Sequence, residues 1–369
     1  MGRGKWTAHF ALIVLFRINL ALANWMYLGM LGASMPSEGP KNYDIPRSDE
    51  PANYGTSICS SVPGLVTKQK NVCEEQPSSM NAVIVGIRRG ILECQQQFQS
   101  ERWNCTPEGD DNVFGYTLTR GSRETAFIHG ILSAGVVHGL TEACSAGNLT
   151  MCSCDRSQEG LSTPEGWKWG GCSDNVQFAT MFARHFVDAP EKESRKSSRK
   201  RDVRDMMNLH NNNAGRLAIS RYMQRKCRCH GVSGSCELKT CWKKLPSFVE
   251  VGNYLKRKYD ESVLISLKPR KRLRRRGKRK VPVRKDDLVY INKSPNYCIE
   301  DPANGIFGTS GRLCNKTSTG PDGCNLLCCG RGYNTQVVTH VNRCHCKFHW
   351  CCYVTCRKCT TELEIYTCK

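Results

Sequence analysis

Nothing before Cys59 is a cysteine, although the chain of 369 residues holds 24 of them. The N-terminal stretch therefore cannot belong to any crosslinked scaffold. Beyond the N-terminus, no segment approaches the roughly 18 continuous apolar residues that a membrane helix needs, so later attachment to a bilayer must be covalent. Residues 268–285 (KPRKRLRRRGKRKVPVRK) lack acids altogether, so mutual repulsion keeps this run out of a packed core. A second glycine is also missing. Gly231-x-Ser233 begins like a nucleophile elbow, but position 235 is serine and no apolar strand leads in, which argues against a catalytic serine.

What is present is unevenly placed. Twelve cysteines fall in the last 72 residues, from Cys298 to Cys368, a density that marks a disulfide scaffold built in an oxidising compartment. Arg3 and Lys5 precede the apolar run Phe10–Phe16, which Arg17 and Asn19 interrupt, and Ala21-Leu22-Ala23 fits a small-x-small cleavage point. Residues 1–23 thus read as a signal peptide, the alternative being a short membrane anchor. The net charge of +21 is local: residues 268–285 carry twelve Lys/Arg, and residues 192–204 carry seven against Glu193 and Asp202. A polyanionic partner met by flexible surface runs is implied.

Residues 24–74 form an N-terminal extension with little periodicity apart from the apolar Trp25–Leu31, and Cys59 and Cys73 are placed to close a local loop. Helical spacing begins at Ser78, with Met80, Val83, Ile84, Ile87, Ile91, Cys94 and Phe98 recurring at three and four. A second helix is expected over 122–140, where Gly130, Gly135 and Gly139 allow close helix contact. A third should start at Ser173 or Asp174 and bury Met181, Phe182 and Phe186. A fourth covers about 203–223, and a fifth follows Pro246 with Phe248, Val251, Leu255 and Tyr259 on one face. Trp167 and Trp169, set among glycines, are core covers or contact residues. Residues 286–292 read as a strand, and after Cys298 short strands alternate with Gly and Asn turns. The class is α+β. A disulfide-stapled helical domain spans 75–267, a basic linker 268–285 and a cystine-rich β domain 286–369.

The stretch around which the rest is organised is CRCHGVSGSCELKTC, Cys227–Cys241. If Cys229 pairs with Cys236 and Cys227 with Cys241, two nested crosslinks clamp a two-stranded ribbon. Ser233 then stands at the tip of a small glycine-rich loop, with its hydroxyl in solvent.

This stretch resembles the signature of the Wnt family of secreted signalling proteins. So do ERWNC (Glu101–Cys105), RETAFI (Arg123–Ile128), SAGNLTMCSCD, WKWGGCSDN, MNLHNN (Met207–Asn212), KSPNYC (Lys293–Cys298), CNLLCCGRGYN and WCCYV (Trp350–Val354), in this order along nearly all of the mature chain. The resemblance implies a helical domain projecting an acylated thumb and a cystine-rich domain projecting an index finger. It implies an unsaturated, palmitoleoyl-type acyl chain on Ser233, covalently held, and no cofactor. It also implies the pairs Cys94–Cys105, Cys144–Cys152, Cys154–Cys172, Cys227–Cys241 and Cys229–Cys236 in the first domain. In the second it implies Cys298–Cys329, Cys314–Cys324, Cys328–Cys368, Cys344–Cys359, Cys346–Cys356 and the adjacent pair Cys351–Cys352. Cys59–Cys73 is what remains. Val232 extends the thumb's apolar tip, and Phe348, Trp350, Cys351, Cys352, Tyr353 and Val354 form the second receptor-contacting tip.

The implied partners are the Frizzled cysteine-rich domain, an LDL-receptor-related co-receptor, the acyltransferase Porcupine, the carrier Wntless and the esterase Notum. Membrane association would run only through the lipid, and no nucleic acid is involved. Heparan sulfate suits the basic run, through Lys268, Arg270, Lys271, Arg272, Arg274, Arg275, Arg276, Lys278, Arg279 and Lys280, because a cationic strip gains by counterion release. That places the protein in the extracellular space and matrix. The competing uses of this run are protease cleavage near Arg274–Arg276 and a merely solvated loop. Sequons stand at Asn104, Asn148, Asn292 and Asn315, with Pro295 weakening the third and Cys105 adjoining the first. Cys227/Cys229/His230 and Cys344/His345/Cys346 have zinc-like spacing, but secretion and an even cysteine count favour disulfides. His210 is a polar network residue of a helix rather than a ligand.

Overall fold

A computed structural model describes residues 24–30, 59, 64–107, 113–197, 202–267, 273–277, 281–350 and 352–369. The chain divides into two compact units, Met1–Gln97 with Thr106–Ser294, and Phe98–Cys105 with Pro295–Lys369. Residues 1–23, expected to be a signal peptide, lie outside the described residues. Among the described residues, no helix is long and apolar enough to cross a membrane.

The first unit is helical. A 3-10 turn, Trp25–Met30, buries Trp25, Met26 and Leu28 and sets the Trp25 ring edge-on to Phe186. Helices α1 (Thr67–Glu75), α2 (Pro77–Phe98), α3 (Gly115–Arg120) and α4 (Arg123–Ser145) follow. After the short strand β1 (Lys168–Trp169) come α5 (Val176–Phe186), α6 (Ala189–Ser197) and α7 (Val203–Arg221). The hairpin strands β2 (Gln224–Cys229) and β3 (Lys239–Lys244) precede α8 (Phe248–Asp260), β4 (Val263–Leu264) and β5 (Val289–Tyr290).

Helix α4 is buried on every side, with Phe127, Ile128, Ile131, Leu132, Val136 and Leu140 all inaccessible, so it is the axis of the bundle. Two neighbours approach it backbone to backbone. A methyl on Gly135 would lie 2.2 Å from the Gly86 carbonyl oxygen of α2, and one on Gly215 of α7 would lie 1.9 Å from that of Gly130.

Packing this close leaves polar groups inside. The Arg216 guanidinium donates to both carboxylate oxygens of Asp188, at 2.9 and 3.1 Å, with the two side chains 3% and 7% exposed. Asn212 also donates to Asp188, and its carbonyl oxygen meets the His129 ring at 3.1 Å. Burial pushes His129 down to about 4 and Glu191 up to about 7, so the interior favours the neutral form of each. His210 is half-buried and bonded to the Asp287 carbonyl, 2.9 Å away.

Several local expectations are corrected. Asn175, not Ser173 or Asp174, caps α5 by accepting from Phe178 N–H. The buried stripe is then Ala179, Phe182, Ala183 and Phe186, which leaves Met181 53% exposed. Part of the 192–204 run is ordered helix, and Lys192 is drawn to the Arg184 carbonyl and to Asp188. The second basic run does meet acids: Arg275 pairs with Asp287 at 3.1 Å and Arg284 with Asp286 at 3.4 Å. Leu273 and Val283 pack on a cluster of Val203, Met207, Val263, Ile265, Val289 and Ile291. Asp287 N–H closes a turn on the Arg284 carbonyl, and Ile291 and Asn292 N–H turn to the Gly121 carbonyl, so the strand expected over 286–292 shrinks to Val289–Tyr290.

The second unit has β6 (Leu313–Cys314), the short helix α9 (Cys324–Leu327), β7 (Tyr333–His349) and β8 (Tyr353–Cys368), in sheet order β6-β8-β7. Short strands were expected here. Instead β7 and β8 run 17 and 16 residues, exposed along most of both faces. An isolated hairpin is marginal in water. This one is crosslinked by Cys344–Cys359 and Cys346–Cys356 and rooted on Cys314, Cys324, Leu327, Cys328, Cys368, Tyr333 and Tyr366. Crosslinks in place of a core allow the length.

Candidate receptor-binding tips

The thumb is built on β2 and β3, paired antiparallel from Gln224↔Lys244 to Cys229↔Lys239. Bridges Cys227–Cys241 and Cys229–Cys236 tie the two arms. The base is fixed from below. Strand β1 adds in parallel beside β3, and Gly170 N–H donates to the Cys241 carbonyl. Asp174, buried, accepts the Leu245 N–H at 2.6 Å and the Ser145 hydroxyl at 2.6 Å, joining the hairpin's exit to the end of α4. The loop that carries β1 and Asp174 is stapled by Cys144–Cys152 and Cys154–Cys172. Trp167 is 6% exposed, donates its indole N–H to Glu165 and lies under the Arg225 guanidinium, 4.9 Å from the ring centroid. It is therefore a cover at the thumb's root, with Trp169 half-buried beside it.

The tip closes on its own backbone. His230 N–H reaches Leu238, Gly231 N–H reaches Ser235 and Gly234 N–H reaches Gly231, all at 2.8–3.0 Å. A methyl on Gly231 would fall 2.6 Å from the Ser235 carbonyl oxygen, so only glycine fits. Ser233 sits at φ 57°, ψ 24°, in the left-handed region, which is uncommon for a residue with a side chain. It is exposed, Val232 beside it is 85% exposed, and the Ser233 hydroxyl makes no hydrogen bond among the described residues. The nearest imidazole in sequence, His230, is engaged with Thr240 Oγ1 at 2.5 Å.

The second tip caps the β7–β8 ribbon. Phe348 faces Val354 and His349 faces Tyr353, the latter rings stacked at 4.8 Å. Trp350 is 93% exposed, Phe348 64%, Tyr353 57% and Val354 56%. Aromatic side chains this bare have no packing role within the unit. Cys352 takes φ 88°, and Cys351 lies outside the described residues.

The other bridges are Cys59–Cys73, Cys298–Cys329, Cys314–Cys324 and Cys328–Cys368, and Cys94 and Cys105 are both disulfide-bonded. Among the described residues, Cys314/Cys328/Cys368 and Cys344/His345/Cys359 come close enough to hold an ion. Their cysteines are bridged, however, and offer no thiolate. Of the sequons, Asn148 and Asn315 are exposed and Asn104 is half-buried. The Asn292 side-chain N–H, on the atom a glycan would take, donates to the Arg120 carbonyl at 2.6 Å. Of the basic run, Lys268, Arg270, Lys271, Arg272, Lys278, Arg279 and Lys280 lie outside the described residues. Arg274 and Arg276 are exposed, and Arg275 is held by Asp287.

Sequence reasoning treated Asp174 only as a helix cap. Its main partner is 71 residues further on, and nothing local signals it.

Comparison with known proteins gives one consistent answer. Residues 61–369 match the description "wnt family". The chain is 50% identical to Protein Wnt-16 of Bos taurus over 357 residues, 95% of this chain and 93% of that protein. It is 49% identical to Protein Wnt-16 of Mus musculus over 356 residues, 94% of this chain and 92% of that protein. Among solved structures it resembles a chain of human WLS in complex with WNT8A, at 38% identity and a TM-score of 0.59, covering 79% of this chain and 94% of that one.

Proposed function

The chain belongs to the Wnt family of secreted signalling ligands, which are not enzymes and carry no cofactor, and from that premise we propose that it binds Frizzled receptors through a fatty acyl chain on Ser233. One observation carries this reading: an unbonded serine hydroxyl, held outward at the end of a doubly crosslinked ribbon that is itself clamped at its root. A six-residue loop of Gly, Val and Ser cannot bury much apolar area. An acyl chain can, at roughly 0.8 kcal/mol per CH₂. The groove of the Frizzled cysteine-rich domain would take that chain.

The ribbon tip at Phe348, Trp350, Cys351, Cys352, Tyr353 and Val354 is the second receptor contact, since exposed aromatic anchors concentrate binding energy. The ligand would also engage an LDL-receptor-related co-receptor. Porcupine would attach the lipid, Wntless would carry the product and Notum would remove the lipid. The WLS complex of a relative supports the carrier. Heparan sulfate, met by exposed cations such as Arg274 and Arg276, would retain the protein in the matrix.

The test is binding of secreted protein to the Frizzled cysteine-rich domain before and after treatment with Notum. The reading expects most binding to disappear with the lipid. Undiminished binding by fully delipidated protein would refute it.

A further inference from the structure

The thumb's stem is cationic, and its one acid, Glu237, lies at the tip. Residues 224–244 hold Arg225, Lys226, Arg228, Lys239, Lys243 and Lys244 against the single acid Glu237. Three of the six are committed to the root: Arg225 pairs with Glu165 and covers Trp167, Lys243 covers Trp169, and Lys244 reaches Asp174. Lys226, Arg228 and Lys239 form no ion pair among the described residues. Pairing of Arg228 with Thr240 and of Lys239 with Cys229 places those two on adjacent rungs, hence on opposite faces. The tip beyond them carries Val232, 85% exposed, and Leu238, 49% exposed, with the exposed Glu237 beside Leu238. Cations thus flank an apolar point on both sides: Lys239 adjoins Leu238, and Arg228 lies four residues before Val232, within roughly 13 Å at about 3.3 Å per residue.

From this we infer that the thumb stem is a second membrane anchor, and that Arg228, Lys239 and Lys226 engage the anionic headgroups of a lipid bilayer while the acyl chain occupies its hydrocarbon. The inference rests on acylation of Ser233 and adds an electrostatic contact to attachment through the lipid. One acyl chain gives only marginal, reversible membrane binding, and stable anchoring takes a second signal such as a basic patch. Arg228 and Lys239 sit at the depth where headgroups begin once the tip enters the interface. Lys226, one more turn of the pleat away, is near the limit of a screening length of about 8 Å. A sulfated polysaccharide would also attract these cations, but it has no use for the apolar Val232 and Leu238 and is repelled by Glu237 beside them. Each cation close to an anionic surface is worth roughly a five-fold rise in partitioning.

The experiment uses the full-length secreted protein and its K226Q/R228Q/K239Q variant. Each is floated with vesicles of phosphatidylcholine alone and with vesicles that also contain phosphatidylserine. Native protein is expected to bind the anionic vesicles at least ten-fold better, with the gain collapsing in high salt. The variant is expected to bind neutral vesicles like the native protein and to lose most of that gain. An equal gain in both proteins overturns the inference. So does a variant whose only loss is retention on heparin, which would assign the stem to polysaccharide. If the variant is not secreted, the single R228Q and K239Q variants decide: an anionic-vesicle gain equal to that of native protein in both overturns it. Native protein that ignores neutral vesicles marks a failure of acylation itself, and the stem proposal falls with it.

Discussion

Ser233→Ala is expected to lower affinity for the Frizzled cysteine-rich domain by at least about a thousand-fold, roughly 4 kcal/mol at 1.4 kcal/mol per decade. A fatty acyl chain of about sixteen carbons offers on the order of 10 kcal/mol when buried. Only part of that survives the cost of ordering the chain and the receptor, which is why the expected loss is smaller than the full transfer value. The fold should not notice. Ser233 is exposed, its hydroxyl serves no partner among the described residues, and alanine meets much the same strain as serine at φ 57°. Secretion yield and disulfide content are therefore the controls, and receptor binding is the readout. Native affinity in a normally secreted variant would sink the prediction.

Asp188→Ala should act on the opposite link, stability without contact to any tip. It strands the Arg216 guanidinium, 3% exposed, and removes an acceptor from Asn212. Breaking a buried pair by deleting one partner costs about 3–5 kcal/mol, because an uncompensated charge stays inside. Set against a total stability of about 5–15 kcal/mol, that is enough to abolish secretion of much of the protein. Secreted yield, and the unfolding temperature of whatever is secreted, are the measurements. Normal values for both would show that the pair does not hold the bundle. Lys192, 3.6 Å from Asp188, is a second cation that loses the same partner.

The fold class was legible because its signals are local. Spacing at three and four marked α2, apolar residues on one face marked α8, and a tail dense in cysteine announced an element held by bridges. What escaped depends on partners far along the chain. Met181 has the right chemistry for a core, but Asn175 caps α5 and sets the buried stripe one position away. The run 268–285 reads as unpackable from its own charges, yet Asp286 and Asp287 beyond its end answer Arg284 and Arg275. No periodicity announces a ribbon of 17 and 16 residues, because its faces alternate without a core to alternate against.

The candidate site divides the same way. A serine between glycines inside four cysteines is visible on the page. Its left-handed backbone, the glycine that the Ser235 carbonyl makes obligatory, and the root held by Asp174, Trp167 and β1 are features of the folded geometry, and the root's contacts lie outside any short window.

The central claim is that rigid crosslinked backbone presents one hydroxyl so that an attached hydrocarbon makes the contact. Mass analysis of the peptide spanning 227–241, taken from secreted protein captured on the Frizzled cysteine-rich domain, tests it most directly. The account predicts a fatty acyl ester on Ser233 throughout the captured fraction. A bare Ser233 hydroxyl in captured, active protein would contradict it.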